Sequence, residues 1–401
     1  MLAAYGAAMH GARVTVLEKK KRPGRKLMIT GKGRCNLTNV GGRDQLLEQF
    51  PDHGKFLYGA LSRFDDDDIR ALLMVQGVET KVERGGRVFP ASDRAVDVVD
   101  GLVESCRQLG VRFQTESPVV SMLLEGGRVT GVRTGNGAEL FGRVVVATGG
   151  LSYPATGSDG DGYKLARQAG HRVTKLLPSL VSLKTKERWT HEMAGLALKN
   201  VRLTSYAAPD NPQTAFGEML FTHEGISGPM VLTLSRNVVR ALQTKSAVRM
   251  ELDLKPALDE ATLDRRLVRD FVASGRRDFD NYLKELVPKS MIEPVVALSG
   301  IEGHRKCHSL TRTERKTLGS LLKHLSIQVN GHGGFDEAVV TQGGVDLEDV
   351  NPATMESKRI RGLYFAGEIL DLDAYTGGYN LQAAFSTGYL AGMSAALEGE
   401  K

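Results

Sequence analysis

The sequence predicts an α/β protein in which a parallel-sheet domain is interrupted by an inserted region, β-rich first and helical after. Three observations carry this. A helix-like stretch over 3–10, closed by Gly11, runs into a short apolar strand over 13–17 that ends at Glu18. Two further apolar strands, over 140–146 and 362–366, each run into a glycine turn, at Gly149-Gly150 and at Gly367. Between them the texture changes, with strand-like patterning over 180–250 and helical patterning over 259–323.

Taken in order, the opening α-to-β step with an acid at the strand tip matches the second half of a dinucleotide-binding βαβ unit. The first half, an apolar strand and a Gly-x-Gly-x-x-Gly turn, is not in the chain, which starts inside the helix. A start codon placed inside that helix is the expected reason. A loop rich in Gly, Lys and Arg follows over 19–39, then a helix over 66–76, a strand pair over 79–89 and a helix over 93–109. The strand over 111–115 is expected to continue the parallel sheet. Alternating stretches over 119–124 and 128–133 flank Glu125-Gly126-Gly127, a hairpin signal. In the insert, strands are expected over 201–206 and 247–254, and Leu263, Leu267 and Phe271 recur at the four-residue spacing of one helix face. Strand character returns over 325–329 and 337–342, and a helix over 380–398 closes the chain. The expected division is a first nucleotide-domain part over 1–178, inserted β over 179–255, helical subdomain over 256–323, returning β over 324–345, and a second nucleotide-domain part over 346–401.

At 401 residues the chain exceeds one average domain. Its 41% hydrophobic and 25% charged residues are ordinary for a globular protein. The balance of 53 basic against 47 acidic side chains, net +6, suits a phosphate-rich ligand or nucleic acid and discriminates neither. Cys35, Cys106 and Cys307 are too few and too scattered for a disulfide framework or a Cys-x-x-Cys site, which favours a reducing, cytoplasmic setting. No apolar run is long enough to cross a bilayer. Lys19, Lys20 and Lys21 follow the apolar opening rather than precede it, the wrong order for a signal peptide.

Four elements carry chemistry. Glu18 sits where a carboxylate accepts from ribose hydroxyls. The loop 22–39 concentrates glycines such as Gly33, the cations Arg25 and Lys26, and the donors Arg34, Asn36, Thr38 and Asn39, with Cys35 among them. Glycines permit close backbone approach, cations neutralise a pyrophosphate, and the amides suit a flavin edge or ribityl hydroxyls. The third element is the strand ending at Thr148-Gly149-Gly150, which brings bare backbone to a ligand at the carboxyl edge of a sheet. The fourth is the step Gly367-Glu368 with Asp371, followed by Gly377-Gly378-Tyr379-Asn380-Leu381-Gln382 at the start of the last helix, where exposed amides favour partial negative charge. Asp65 to Asp68 precede a helix and read as its cap rather than a metal site. Among the histidines His223 is the candidate on the substrate side, with a structural hydrogen bond the preferred reading, and a metal is not expected.

In this combination and order the chain resembles the HI0933-like family of flavoproteins, also labelled BaiN-like or aminoacetone-oxidase-like. The matching signatures are Pro23-Gly24-Arg25-Lys26, Gly31-x-Gly33-Arg34-Cys35-Asn36 with Thr38-Asn39, Ala147-Thr148-Gly149-Gly150, the run from Phe221 to Pro229, Thr341-Gln342-Gly343-Gly344-Val345, Gly367-Glu368-x-x-Asp371, and Gly377 to Gln382. The resemblance implies an FAD-binding Rossmann-type domain interrupted by a β-barrel-like segment and a helical subdomain. It implies that Glu18 holds the adenosine ribose, Arg25 and Lys26 the pyrophosphate, and the Val120 backbone the adenine. Gly367, Glu368, Asp371, Asn380, Leu381 and Gln382 are then expected around the ribityl-flavin portion. The expected activity is reduction of an activated double bond in a small organic substrate, with NADH or NADPH as a transient electron donor. Reduction of uracil in ribosomal RNA, oxygen-dependent amine oxidation, and a non-catalytic nucleotide-binding remnant are the alternatives. Cys35, Tyr375 and Tyr379 are the candidates for catalysis.

Overall fold

Small residues let the first and last helices meet through their backbones. In the computed structural model, which describes residues 1–397, helix Leu2–Met9 lies against helix Tyr379–Leu397. A side chain at Gly6 would place its Cβ 2.6 Å from the Tyr389 carbonyl oxygen, and one at Gly392 would come 1.9 Å from that of Ala3. Glu398, where the closing helix was expected to end, lies outside the described residues. The chain divides into two units, Met1–Ser179 with Phe335–Lys401, and Leu180–Gly334.

The first unit holds two parallel ladders. Thr15–Leu17 pairs with Arg112–Gln114, and Val144–Val146 pairs with Leu363–Phe365. The expected single strand over 140–146 is two strands. Glu139–Phe141 completes an antiparallel meander with Val119–Glu125 and Arg128–Thr134, and Val144–Val146 joins the second ladder. Gly142, at φ +149°, is the break between them, a conformation only glycine adopts readily. The predicted hairpin turn sits at Gly126 and Gly127, both at positive φ as a two-residue type I′ turn requires. A small antiparallel sheet pairs Thr38–Asn39 and Thr80–Val82 with the two edges of Arg87–Pro90. The four aspartates before helix Asp66–Val75 act as the cap: Asp65 accepts from the N–H groups of Asp67 and Asp68, and Asp68 accepts from that of Asp65. An apolar core centred on Val146, Leu363, Tyr364, Phe365, Ile369 and Leu390 supports the second ladder.

The second unit is a closed six-stranded antiparallel barrel with appended helices. Its strands, in spatial order, are Leu183–Thr185, Gly225–Ser227, Gln213–Thr222, Ala197–Ser205, Val248–Asp253 and Leu325–His332. Alternation decides what is buried: Leu325, Ile327 and Val329 are covered while Ser326 and Asn330 are exposed. Helix Pro229–Ala241 was not expected within a strand-like stretch; it opens on a proline at its first turn, where the missing N–H is harmless. Helix Glu260–Ser274 buries Leu263, Leu267 and Phe271 on one face, as their spacing predicts. The segment 335–345, expected with the returning β region, belongs to the first unit, because Val340–Gln342 pairs with Leu177–Ser179.

Gly392→Val is expected to destabilise the first unit by about 1–3 kcal/mol through overpacking against the Ala3 carbonyl. Chemical denaturation monitored by circular dichroism checks it.

Candidate functional site

The site is built where two parallel strands end together. Val146 and Phe365 are paired, and the Ala366 N–H donates to the Val146 carbonyl at 3.1 Å. The chain therefore delivers 147–150 and 366–368 side by side at the carboxyl ends of the strands, the edge at which open parallel sheets bind ligands. Gly150 is buried, and a Cβ there would lie 2.5 Å from Thr341 Oγ1 and 2.8 Å from Glu368 Oε1. Only glycine passes. Gly367, at φ +77°, donates its N–H to Thr387 Oγ1 at 3.0 Å, which fixes the direction in which Glu368 leaves the strand.

Glu368 is the meeting point. Its Oε2 accepts from Lys26 Nζ at 2.5 Å, and its Oε1 accepts from Ser152 Oγ and the Thr341 N–H, each at 2.9 Å. Lys26 also donates to Ser152 Oγ at 2.6 Å. Thr341 Oγ1 in turn accepts from the N–H groups of Leu151 and Ser152. Lys26, expected at a pyrophosphate, is thus engaged by the carboxylate expected at the ribityl chain. Ser152 and Thr341 went unassigned in the sequence. Thr341 stood in a recognised motif and Ser152 just beyond the Gly149-Gly150 turn, but their pairing is a tertiary event.

A second convergence brings strand Thr38–Asn39 against Gly377 and Gly378. A Cβ at Gly378 would lie 2.4 Å from the Thr38 carbonyl oxygen. Asn39 Nδ2 donates to the carbonyls of Gly85 and Gly377. Here the buried polar atoms are not all satisfied. Asn36 Oδ1, Thr38 Oγ1, Asn39 Oδ1 and Gln382 Oε1, from the segments that meet here, are buried with no partner, as are both amide atoms of Gln342 on strand Val340–Gln342. Each unpaired group of this kind costs about 1–3 kcal/mol, so a set of them beside glycine-lined backbone fits a polar ligand. The start of helix Tyr379–Leu397 adds backbone N–H groups and the positive end of a helix dipole.

The remaining candidates fall in several places. Glu18 stands at its strand tip with Oε1 accepting the Lys20 N–H at 2.8 Å, and Arg25 is exposed on the short helix Arg25–Ile29. Val120 is 57% exposed at a register shift in its strand, which frees its backbone from the ladder. Thr148 and Gly33 are exposed, and Gly149 adopts φ +75°. Asp371 accepts from Thr174 Oγ1 at 2.9 Å, and burial raises its pKa above the usual carboxylate range. Asn380 is spent on its own loop, accepting from the Ala374 N–H and donating to the carbonyls of Ala374 and Tyr375. Leu381 packs into an apolar cluster, and Gln382 donates to Phe64 O and Ser386 Oγ. Tyr375 is half-buried, and the buried Tyr379 has its phenol pKa raised by desolvation.

Two expectations are corrected. Arg34 does not present a free donor: its guanidinium binds Glu83 and Asp93, at 2.5 and 2.6 Å, and stacks on Phe89. Cys35 does not present a reactive thiol. It is fully buried in an apolar cluster with Leu37, Ile69 and Val98, and burial pushes the thiol up to about 12.

Comparison with known proteins follows from this geometry. A family model described as the HI0933-like protein Rossmann domain matches residues 1–394. A 3-dehydro-bile acid delta(4,6)-reductase of Clostridium scindens is 31% identical over 388 residues, spanning 96% of this chain and 93% of the relative. A ribosomal RNA dihydrouridine synthase of Escherichia coli is 32% identical over 390 residues, spanning 96% and 92%. Among solved structures, the 3-ketosteroid delta1-dehydrogenase of Sterolibacterium denitrificans superposes with a TM-score of 0.56 at 12% identity, covering 99% of this chain and 97% of that one. An Escherichia coli quinol fumarate reductase gives 0.50 at 16%, covering 100% and 70%. At such identities the likeness is one of fold.

The Cys35 environment has a pH consequence. Because the folded pKa is raised from about 9 to about 12, the unfolded chain loses this proton first. The contribution to stability is complete below pH 9 and lost as pH rises toward 12. Native protein treated with iodoacetamide at pH 8 is expected to leave Cys35 unmodified, as peptide mass analysis would show.

Proposed function

The chain belongs to the HI0933-like family and is an FAD-dependent oxidoreductase; from this premise we propose that it reduces an activated carbon–carbon double bond in a small organic substrate. The observation that carries the reading is the set of unpaired buried polar atoms on the segments that meet where Gly378 approaches the Thr38 backbone. The named activity of the Clostridium scindens relative, a reductase of a steroid-type substrate, supports the reaction class. NADH or NADPH is the proposed transient donor. The setting is proposed as cytoplasmic, consistent with the absence of a helix long and apolar enough to cross a membrane among the described residues.

In this reading Glu18 holds the adenosine ribose, the Val120 backbone meets the adenine, and Arg25 faces the pyrophosphate. Lys26 and Ser152 hold the Glu368 carboxylate in one orientation, so that Glu368 and Gly367 line the ribityl chain. Thr148, Gly149 and Gly150 form the wall through which backbone approaches. Asn36, Thr38 and Asn39 offer their unpaired oxygens to the ring, and Gly378 lets the helix start come close enough for its N–H groups to face a developing negative charge. Asn380 orients the loop over 374–380 rather than touching ligand. When bound, FAD supplies the hydride chemistry that these side chains lack. Tyr379 keeps its proton through the neutral range, because burial disfavours the phenolate.

A second reading, reduction of uracil in ribosomal RNA, is favoured by one observation beyond the name of the Escherichia coli relative. Leu180–Gly334 holds 23 Lys and Arg against 17 Asp and Glu, so the whole net charge of +6 falls in that unit, and the other unit is balanced. Such a field attracts a polyanion. Binding to RNA that weakens steeply with salt would favour this reading over a small-molecule substrate.

Purified protein is expected to show flavin absorbance and to oxidise NADH or NADPH faster when a conjugated ketone is supplied. Gly378→Val is expected to weaken FAD binding by roughly tenfold or more, since the added side chain must push back the Thr38 carbonyl. A protein that stays colourless in excess FAD sinks the reading.

A further inference from the structure

Gln342 differs from the other buried polar side chains that carry unpaired atoms. It is 3% exposed, and both its Nε2 and its Oε1 are buried without a partner. Among the described residues it is the one side chain whose amide is unpaired at both atoms. Asn39 and Gln382 each keep half of their bonds, Asn39 on Gly85 and Gly377, Gln382 on Phe64 and Ser386. A buried amide left wholly unpaired opposes folding, and native proteins retain few of them without a reason.

Its place in the fold suggests the reason. Gln342 ends strand Val340–Gln342, opposite Leu177 in the antiparallel pair. Residues two apart on a strand share a face, so Gln342 lies on the face of Val340 and Ser179, away from Thr341 and its bonds to Leu151 and Ser152. On that face Ser179 Oγ donates to Asp373 at 3.0 Å. Asp373 begins the run that reaches Gly377 and Gly378, and so the wall formed with Thr38. The backbone beyond Gln342 is locked: Gly343 adopts φ +85°, and a Cβ at Gly344 would lie 2.5 Å from the Ile369 carbonyl. The backbone that carries the amide is thereby fixed.

A carboxamide offers an acceptor and a donor side by side. Its complement is the N–H and C=O of a cyclic imide. We propose that Gln342 is a cofactor-binding residue whose amide pairs with the imide edge of the isoalloxazine pyrimidine ring, an inference that rests on the FAD reading above. A uracil ring carries the same edge, and the test separates the two.

Gln342→Met keeps the length and removes both polar atoms. The ligand-free variant is expected to melt about 2–4 °C above the natural protein, because an unpaired buried amide is gone. Its FAD Kd, titrated by flavin fluorescence, is expected to rise about tenfold. N3-methyl-FAD, which lacks the imide N–H, is expected to bind the natural protein about tenfold more weakly than FAD and to lose nothing further in the variant. That comparison on the natural protein needs no variant to fold. Natural protein that binds no FAD defeats the cofactor reading itself; normal binding with an unchanged Kd in the variant defeats this inference alone. An unchanged FAD Kd with weakened binding of a uridine-containing oligoribonucleotide overturns the flavin assignment in favour of uracil. A lower melting temperature in Q342M also overturns it, since the amide would then have been bonded within the fold.

Discussion

The Glu368 carboxylate joins three segments, 27, 216 and 342 residues away along the chain. Lys26 comes from the short helix Arg25–Ile29 after the first strand, Ser152 from the turn after strand Val144–Val146, and Thr341 from the strand that re-enters the unit. A carboxylate leaving water needs its lone pairs filled and its charge matched, and here a lysine, a hydroxyl and a backbone N–H do both. Because the bonds come from different segments, the geometry of each depends on the others. The junction lies just beyond the strand ends at Val146 and Phe365, which are themselves joined by their ladder.

Glycine does the complementary work. At Gly150 and Gly378 the chain passes within contact of Thr341, Glu368 and the Thr38 carbonyl, closer than any side chain permits. At Gly6 and Gly392 the same device locks the first helix to the last. These approaches leave a surface of backbone and amide groups in which several polar atoms find no protein partner. Stability is given up there, and the unit recovers it in the apolar cluster beneath, around Tyr364, Phe365 and Ile369. Sites of function are where such trade-offs are expected.

The two units differ in charge as well as architecture. The unit carrying the glycine-lined surface is electrically balanced, whereas the barrel and its helices hold the entire positive excess.

Local physics made much of this legible in sequence. The Asp65 cap, the Gly126-Gly127 turn and the buried face of Leu263, Leu267 and Phe271 follow from rules that operate within a few residues, so pattern alone determined them. The motifs around Glu18, Gly150, Gly367 and Gly378 likewise determined the family. What the sequence could not decide depended on distant partners. Arg34 looks like a ligand donor until Glu83 and Asp93 take its guanidinium, and Cys35 looks reactive until Leu37, Ile69 and Val98 bury it. The helix at Pro229–Ala241 and the return of 335–345 to the first unit turn on which surfaces are available to cover. Spacing encodes the face a residue presents; only the assembled fold decides what that face meets.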